Sequence, residues 1–138
     1  MADGPITGEL RRFLLEGQPL RGQWVRLGPA WQELRARRSY PPPAEALLGE
    51  AAAAVVLLAA TLKFEGTLTL QLTGTGRVRL LVAQCTDDFR LRAVVHHDLA
   101  EGEAPGFAEL VGAGQLVVTL QSDTTTARYQ GIVPLEGG

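Results

Sequence analysis

The spacing of hydrophobic positions changes from a helical to a strand-like period near Lys63. Before this point apolar residues recur every three to four positions, which is typical of helices with one buried side. The pattern before Lys63 predicts helices over residues 7–16, 29–38 and 44–62, and a strand over residues 23–27. Thr7 suits the start of the first helix and Gly17 its end. The proline run at residues 41–43 ends the second helix.

Beyond Lys63, apolar and polar residues alternate, as in strands with one buried face. The alternation predicts an antiparallel meander over residues 67–72, 77–82 and 89–95. Its apolar face is predicted to carry Leu68, Leu70, Leu72, Val78, Leu80, Val82, Phe89, Leu91, Ala93 and Val95. A loop, a short helix over residues 107–111 and a second hairpin over residues 115–121 and 128–133 are expected to follow.

The segment 44–62 is the most informative part of the chain. After Glu50 it is apolar on every side, and a helix of that kind is buried all round. We therefore expect residues 51–60 to be almost wholly buried. This apolar run is also too short to span a bilayer, which takes about 20 residues. The predicted fold class is α+β, with a long buried apolar helix packed between antiparallel β-sheet layers.

Composition indicates one soluble globular domain. The 138 residues are 46% hydrophobic and 20% charged, which is the profile of a folded domain. The net charge of −2 argues against a general nucleic-acid-binding protein, although residues 1–40 alone carry a local net charge of +3. The N-terminus shows no secretory signal. We therefore expect a cytoplasmic protein with no membrane partner.

No group of residues predicts a catalytic or metal centre. His96 and His97 are neighbours on a predicted strand, so their side chains point to opposite faces and do not easily share one ion. The Gly-x-Gly patterns at residues 74–76 and 112–114 lack the third glycine and the following helix of a phosphate site. Cys85 is the single cysteine, which excludes an internal disulfide and a multi-cysteine zinc site. The sequence therefore predicts that the protein is not an enzyme.

Four arginines form a charged pattern in the meander. Arg77, Arg79, Arg90 and Arg92 are predicted to project from one face of two adjacent strands as a basic stripe. Sheet-based RNA-binding modules place aromatic side chains among such charges for base stacking, and this stripe has none. A solvated sheet face is the favoured interpretation, and a nucleic-acid-associated or ribosome-associated module is the alternative.

Several short motifs occur in an order that carries a family resemblance. The apolar helix runs directly into ATLKFEG at residues 60–66, and Tyr40-Pro41 precedes it. The sequences QLTGTG, GAG and RYQGIVPLEG follow at residues 71–76, 112–114 and 128–137. Over essentially the whole chain, this arrangement resembles the redox-regulated chaperones of the heat shock protein 33 family.

The resemblance implies that residues 1–138 are the N-terminal core, or substrate-binding, domain of a longer holdase. A holdase is a chaperone that binds unfolded or oxidatively damaged proteins and prevents their aggregation. Family members carry a C-terminal redox domain whose CxC and CxxC motifs bind zinc, and nothing in this sequence matches that domain. We therefore expect a truncated chain with no cofactor of its own, and zinc in the missing domain.

The resemblance also implies partners and a binding surface. Unfolded client proteins are the expected partners, in a homodimer or a domain-swapped association because the last hairpin lacks the family's downstream cover. A holdase captures clients on exposed apolar surface. Trp24, Leu27, Trp31 and Leu34 are the candidate client-binding residues, although they also suit a hydrophobic core. The competing interpretation is a structural or dimerisation domain without client binding.

Overall fold

A computed structural model describes residues 4–5 and 9–135, with side chains from residue 9 onward. The described elements follow in the order β1 (Gly4–Pro5), β2 (Glu9–Leu14), β3 (Arg21–Arg26), α1 (Pro29–Arg37), α2 (Pro42–Thr61), β4 (Gly66–Gly74), β5 (Val78–Thr86), β6 (Arg90–His97), α3 (Phe107–Val111), β7 (Gly114–Ser122) and β8 (Arg128–Leu135). Six strands form one antiparallel sheet in the order β1-β6-β5-β4-β7-β8, and β2 pairs with β3. The predicted α+β class is confirmed.

The six-stranded sheet buries one face under α2. Side chains of β4 alternate, so that Leu68, Leu70 and Leu72 are buried while Thr69 and Gln71 between them are only half-buried. The helix lies mainly over β5 and β6 and also contacts β4 and β3. The predicted meander, the short helix α3 and the terminal hairpin β7–β8 are all confirmed. Period-two patterning predicts these strands well because each has one face in the core.

One prediction about β5 is wrong. The alternation places Leu80 and Val82 on the buried face, whereas the structure buries Leu81 and Ala83 instead. The register between β5 and β6 shifts between Val78 and Leu80, which marks a β-bulge. Because successive side chains of a strand point to opposite faces, one extra residue exchanges the two faces for the rest of the strand.

The predicted helix over residues 7–16 is also wrong. Of its described residues, 9–16, Glu9–Leu14 form strand β2, which pairs antiparallel with β3 and places Leu10 opposite Val25, and the last two lie at the turn. Thr7 lies outside the described residues. Gly17, with a φ of 75°, lies in the turn between the two strands and does not end a helix. A short isolated helix is marginal in water, so the pairing with β3 decides the conformation.

The two longer helices are confirmed, but α2 begins earlier than predicted. Pro42 and Pro43 occupy the first turn of α2, and Pro41 is its N-cap residue. The first backbone N–H groups of a helix have no partner within it, so proline is tolerated there. The proline run therefore starts α2 as well as separating it from α1.

The expectation that residues 51–60 are almost wholly buried is wrong. Ala52, Val55, Val56 and the pair 59–60 are buried, but the positions between them are half-buried and Leu58 is exposed. The reason is geometric: the second layer over α2 is a hairpin of only two strands. The described chain therefore leaves part of an all-apolar helix facing outward.

Helix α2 is also longer than the apolar run considered from the sequence. Its 20 residues have the length and composition of a helix that could cross a membrane, and half of its most apolar window is buried inside the fold. The core helix of a soluble protein satisfies the same criterion, so this feature alone is a weak indication of a membrane span.

Candidate functional site

The four residues proposed from the sequence do not form one surface. Trp24 is exposed, whereas Leu27 and Trp31 are half-buried and pack against the core. Trp31 lies over α2, where a Cβ atom at Gly49 would be 3.2 Å from its ring. Leu34 is only 3% exposed and belongs to the core. Leu34 therefore offers no binding area in this structure, because α1 turns its side chain inward.

Trp24 lies on the outer face of the β2–β3 hairpin, between two cations. The guanidinium carbons of Arg11 and Arg26 are 5.8 Å and 5.7 Å from the centre of its ring. Cation–π contacts of this kind are attractive by about 0.5–1 kcal/mol at exposed sites. Trp24 is thus an exposed aromatic side chain in a basic setting.

A larger apolar surface lies at the tip of the same hairpin and at the adjacent C-terminal end of α2. We define the hairpin surface by five exposed residues: Phe13, Leu14, Leu15, Leu20 and Leu62. Leu14 is the most exposed of them, with 76% of the residue's surface open to solvent. The first three are consecutive in sequence, so their side chains cannot all point toward α2. A cluster of this kind at the surface is typical of a site that binds another polypeptide.

A cleft separates the hairpin from the end of α2. This hairpin cleft has a volume of about 1300 Å³ and is lined by Arg12, Phe13, Leu14, Arg21, Gly22, Gln23, Leu57, Ala59, Ala60, Thr61, Leu62, Lys63, Asp87 and Phe89. Two hydrogen bonds hold its walls together. Arg12 Nη2 donates to the Ala60 carbonyl oxygen at 2.9 Å, and Gln23 Nε2 donates to Thr61 Oγ1 at 3.0 Å. The cleft is therefore a built feature with one strand wall and one helix wall.

The charges that line the hairpin cleft are mainly positive. Among the described residues, its lining contains the cations Arg12, Arg21 and Lys63 and a single carboxylate, Asp87. Arg12 neutralises the carbonyl end of α2, where the helix dipole is negative. Within residues 9–135, Arg21 and Lys63 form no salt bridge. The cleft thus combines apolar side chains with two exposed cations that are unpaired within the described part of the chain.

A second apolar region lies at the sheet edge formed by β8. Tyr129, Ile132 and Val133 are all more than half exposed, and we call them the β8 edge. Tyr129 pairs in register with Leu120, which pairs with the buried Leu68. The inner face of the sheet therefore continues past α2 onto β7 and β8, where no described helix covers it.

The predicted basic stripe is not continuous. Arg77 donates to Asp98 Oδ1 at 2.6 Å and to Glu103 Oε2 at 2.6 Å, and these bonds hold the pKa of Glu103 at about 2 and lower that of Asp98. Arg79 also contacts Asp98, at 3.8 Å. Arg90 pairs with Asp88 at the opposite end of the strand pair. Arg77, Arg79 and Arg90 thus each lie beside a carboxylate, which partly neutralises the stripe.

Cys85 lies in the core, beneath α2. It is 0% exposed, and burial raises the pKa of its thiol to about 12. The reactive thiolate is therefore scarce at neutral pH. Within residues 9–135, no three His, Cys, Asp or Glu side chains lie close enough to hold a metal ion. The absence of zinc from this chain stays a prediction.

The sequence does not reveal the hairpin surface, because the apolar spacing of residues 7–16 predicts a helix. The signal that could have found it is the run Phe13-Leu14-Leu15 followed by Gly17 and Pro19, which places three apolar residues beside a turn. The two Gly-x-Gly patterns also have a role that was not predicted. They contact each other, since Ala113 N donates to Thr75 Oγ1 at 2.9 Å.

Comparison with known proteins identifies one family. The family model described as Hsp33 protein matches residues 8–138. The "33 kDa chaperonin" of Chromobacterium violaceum is 45% identical over 130 residues, which are 94% of this chain and 44% of that protein. The "33 kDa chaperonin" of Photobacterium profundum is 44% identical over 131 residues, with 93% and 44% coverage.

A solved structure shows the same fold. The crystal structure of the 33 kDa chaperonin (heat shock protein 33 homolog) from Thermotoga maritima superposes with a TM-score of 0.77 and 26% identity. The superposition covers 94% of this chain and 46% of that one. This chain thus spans about half the length of the curated relatives that it matches.

Proposed function

Since the chain belongs to the Hsp33 protein family, we propose that it is the client-binding core of a holdase chaperone. The observation that carries this proposal is the hairpin surface, where five large apolar side chains are exposed together. Unfolded polypeptides expose similar side chains, and burying these against each other is favourable by about 25 cal/mol per Å². Binding of this kind needs no catalytic group, so the proposed activity is not enzymatic. The proposed location is the cytoplasm.

The hairpin surface replaces most of the candidate surface proposed from the sequence. Trp24 remains in the proposal because it is exposed on the same hairpin. Leu27 and Trp31 are secondary candidates, since each keeps some exposed area at the edge of the core. Leu34 is withdrawn because it is buried.

The test is suppression of aggregation by this chain under two redox conditions. We expect the chain to keep a thermally unfolding test client soluble in the presence of reductant, and to the same extent after peroxide treatment. The reason is that its single thiol, Cys85, is buried and has a raised pKa. The measurement is light scattering of the client with increasing chaperone, with serum albumin as an inert protein control.

Two results of that assay would contradict the proposal in different ways. If aggregation proceeds unchanged at a molar excess of the chain, the structural or dimerisation interpretation is favoured. If peroxide activates the chain reversibly, a redox switch resides in these residues, and a disulfide between Cys85 residues of two chains is the first candidate to examine.

Self-association is the second part of the proposal. Strand β8 lies at the edge of the sheet and carries the exposed side chains of the β8 edge. Edge strands pair with other chains unless they are covered. We expect a homodimer or an exchanged element at high protein concentration. Multi-angle light scattering measures the mass directly, and a mass of one chain across the whole concentration range would refute this part.

A further inference from the structure

We propose that the hairpin cleft selects client segments in which apolar residues are flanked by acidic ones. The inference rests on the proposed holdase function and goes beyond it, because it assigns a chemical preference to one site. The recognising chemistry is the apolar lining of the cleft together with Arg21 and Lys63, two cations that have no salt-bridge partner among residues 9–135.

The size and walls of the cleft favour an extended peptide as the occupant. Its volume of about 1300 Å³ exceeds the range of about 300–1,000 Å³ that is typical of small-molecule pockets. One wall is contributed by Leu57 and Leu62 of the helix side, and the other by Phe13 and Leu14 of the hairpin. Apolar side chains of an unfolded client find partners on both walls.

The charges decide which client segments fit best. Arg21 and Lys63 are both exposed and lack a salt-bridge partner among residues 9–135, so they are available to a client carboxylate. Arg12 adds positive charge, although its guanidinium already donates to the Ala60 carbonyl. Asp87 is the one carboxylate among the described residues that line the cleft. The cleft therefore attracts acidic flanks and repels basic ones.

Because the whole chain is slightly acidic, a preference for acidic peptides can be assigned to one part of its surface. The chain carries a net charge of −2, so an acidic peptide gains nothing from a general electrostatic attraction. Residues 1–40 supply the hairpin and have a local net charge of +3. A preference for acidic peptides would thus report on the hairpin region and not on the average surface.

The experiment compares three fluorescent peptides that share one apolar centre and carry aspartate, serine or lysine flanks. Binding to the intact chain is followed by fluorescence anisotropy at low salt. We expect the aspartate peptide to bind about tenfold more tightly than the lysine peptide, because two exposed ion pairs form with the first and like charges meet with the second. The difference should shrink as salt is raised, since exposed charges are screened.

Charge reversal locates the effect. The double variant Arg21→Glu/Lys63→Glu should bind the lysine peptide more tightly than the aspartate peptide, which is a reversed order and not merely a loss. Each single variant should reduce the preference in part. Arg38→Glu is the matched control, because Arg38 is an exposed arginine that does not line the cleft. This control should keep the original order.

The outcomes separate this inference from the proposed function. Equal binding of all three peptides, with aggregation still suppressed, would overturn the charge preference alone. An unchanged order in the double variant would also overturn it, by showing that other charges select the peptide. Failure of every peptide to bind, together with unhindered client aggregation, would overturn both. Circular dichroism of each variant establishes that it is folded.

Discussion

Replacing Gly66 with alanine is expected to destabilise the fold by at least about 3 kcal/mol. Gly66 is buried at the start of β4 and has a φ of 152°, a conformation that other residues rarely adopt. A Cβ atom there would lie 1.9 Å from the backbone carbonyl oxygen of Gln121. Because Gln121 is held in β7 by the sheet register, the clash is relieved only by moving β4 away from β7.

The measurement is the free energy of unfolding from urea denaturation, with Gly17→Ala as the control. Gly17 also has a positive φ, of 75°, but a Cβ atom at that position meets nothing within 4 Å. The control should therefore lose only about 1–2 kcal/mol, from backbone strain alone. Equal losses in the two variants would show that the contact with Gln121 is not decisive.

This prediction gives a physical reason for one of the motifs that carried the family resemblance. The segment ATLKFEG ends at Gly66, where the chain passes from α2 into the central strand of the sheet. The backbone of this junction is bound on two sides, since Asp87 N donates to the Gly66 carbonyl at 3.1 Å and Asp123 N donates to that of Glu65 at 3.0 Å. The glycine therefore allows the start of β4 to lie close to the turn after β5 at Asp87 and to the turn after β7 at Asp123.

The parts of the fold that were predicted well are those in which local pattern and tertiary environment agree. Strand β4 alternates leucine with polar residues and lies half in the core, so period two identifies both its conformation and its buried face. Strand β5 shows the limit of this reasoning. Its alternation has the correct period, but the bulge near Arg79 depends on pairing with β6, which has no signature in the sequence of β5 alone.

The candidate site was harder to predict because it depends on contacts between distant segments. Leu10, Phe13 and Leu14 fit a helical stripe as well as a strand, and pairing with β3 selects the strand. The hairpin cleft forms only when this hairpin reaches the end of α2, through the bond from Arg12 to Ala60. Neither segment indicates this contact by itself, although the excess of arginine before residue 40 was visible in the sequence.

Serine substitution of Phe13, Leu14 and Leu20 together should remove most of the aggregation-suppressing activity. These residues are 48%, 76% and 53% exposed, so part of each still packs against the fold, and we expect the free energy of unfolding to fall by about 1–3 kcal/mol without loss of the folded state. Each contributes about 1 kcal/mol to client binding if half of its apolar area is buried by the client. We therefore expect the triple variant to bind unfolded client at least tenfold more weakly.

The matched control replaces Phe107, Tyr129 and Ile132 with serine, since their exposed fractions of 52%, 67% and 58% are similar. The control removes comparable apolar area from α3 and the β8 edge, so it distinguishes client binding at a specific surface from nonspecific hydrophobic binding. The expected result is that the control retains suppression of client aggregation while the hairpin variant loses it. Equal losses would show that exposed apolar area is used without regard to position, and a loss in the control alone would assign client binding to α3 and the β8 edge.

Because Phe13 also packs over Gly22, the pair Leu14→Ser/Leu20→Ser tests the same surface with that contact intact.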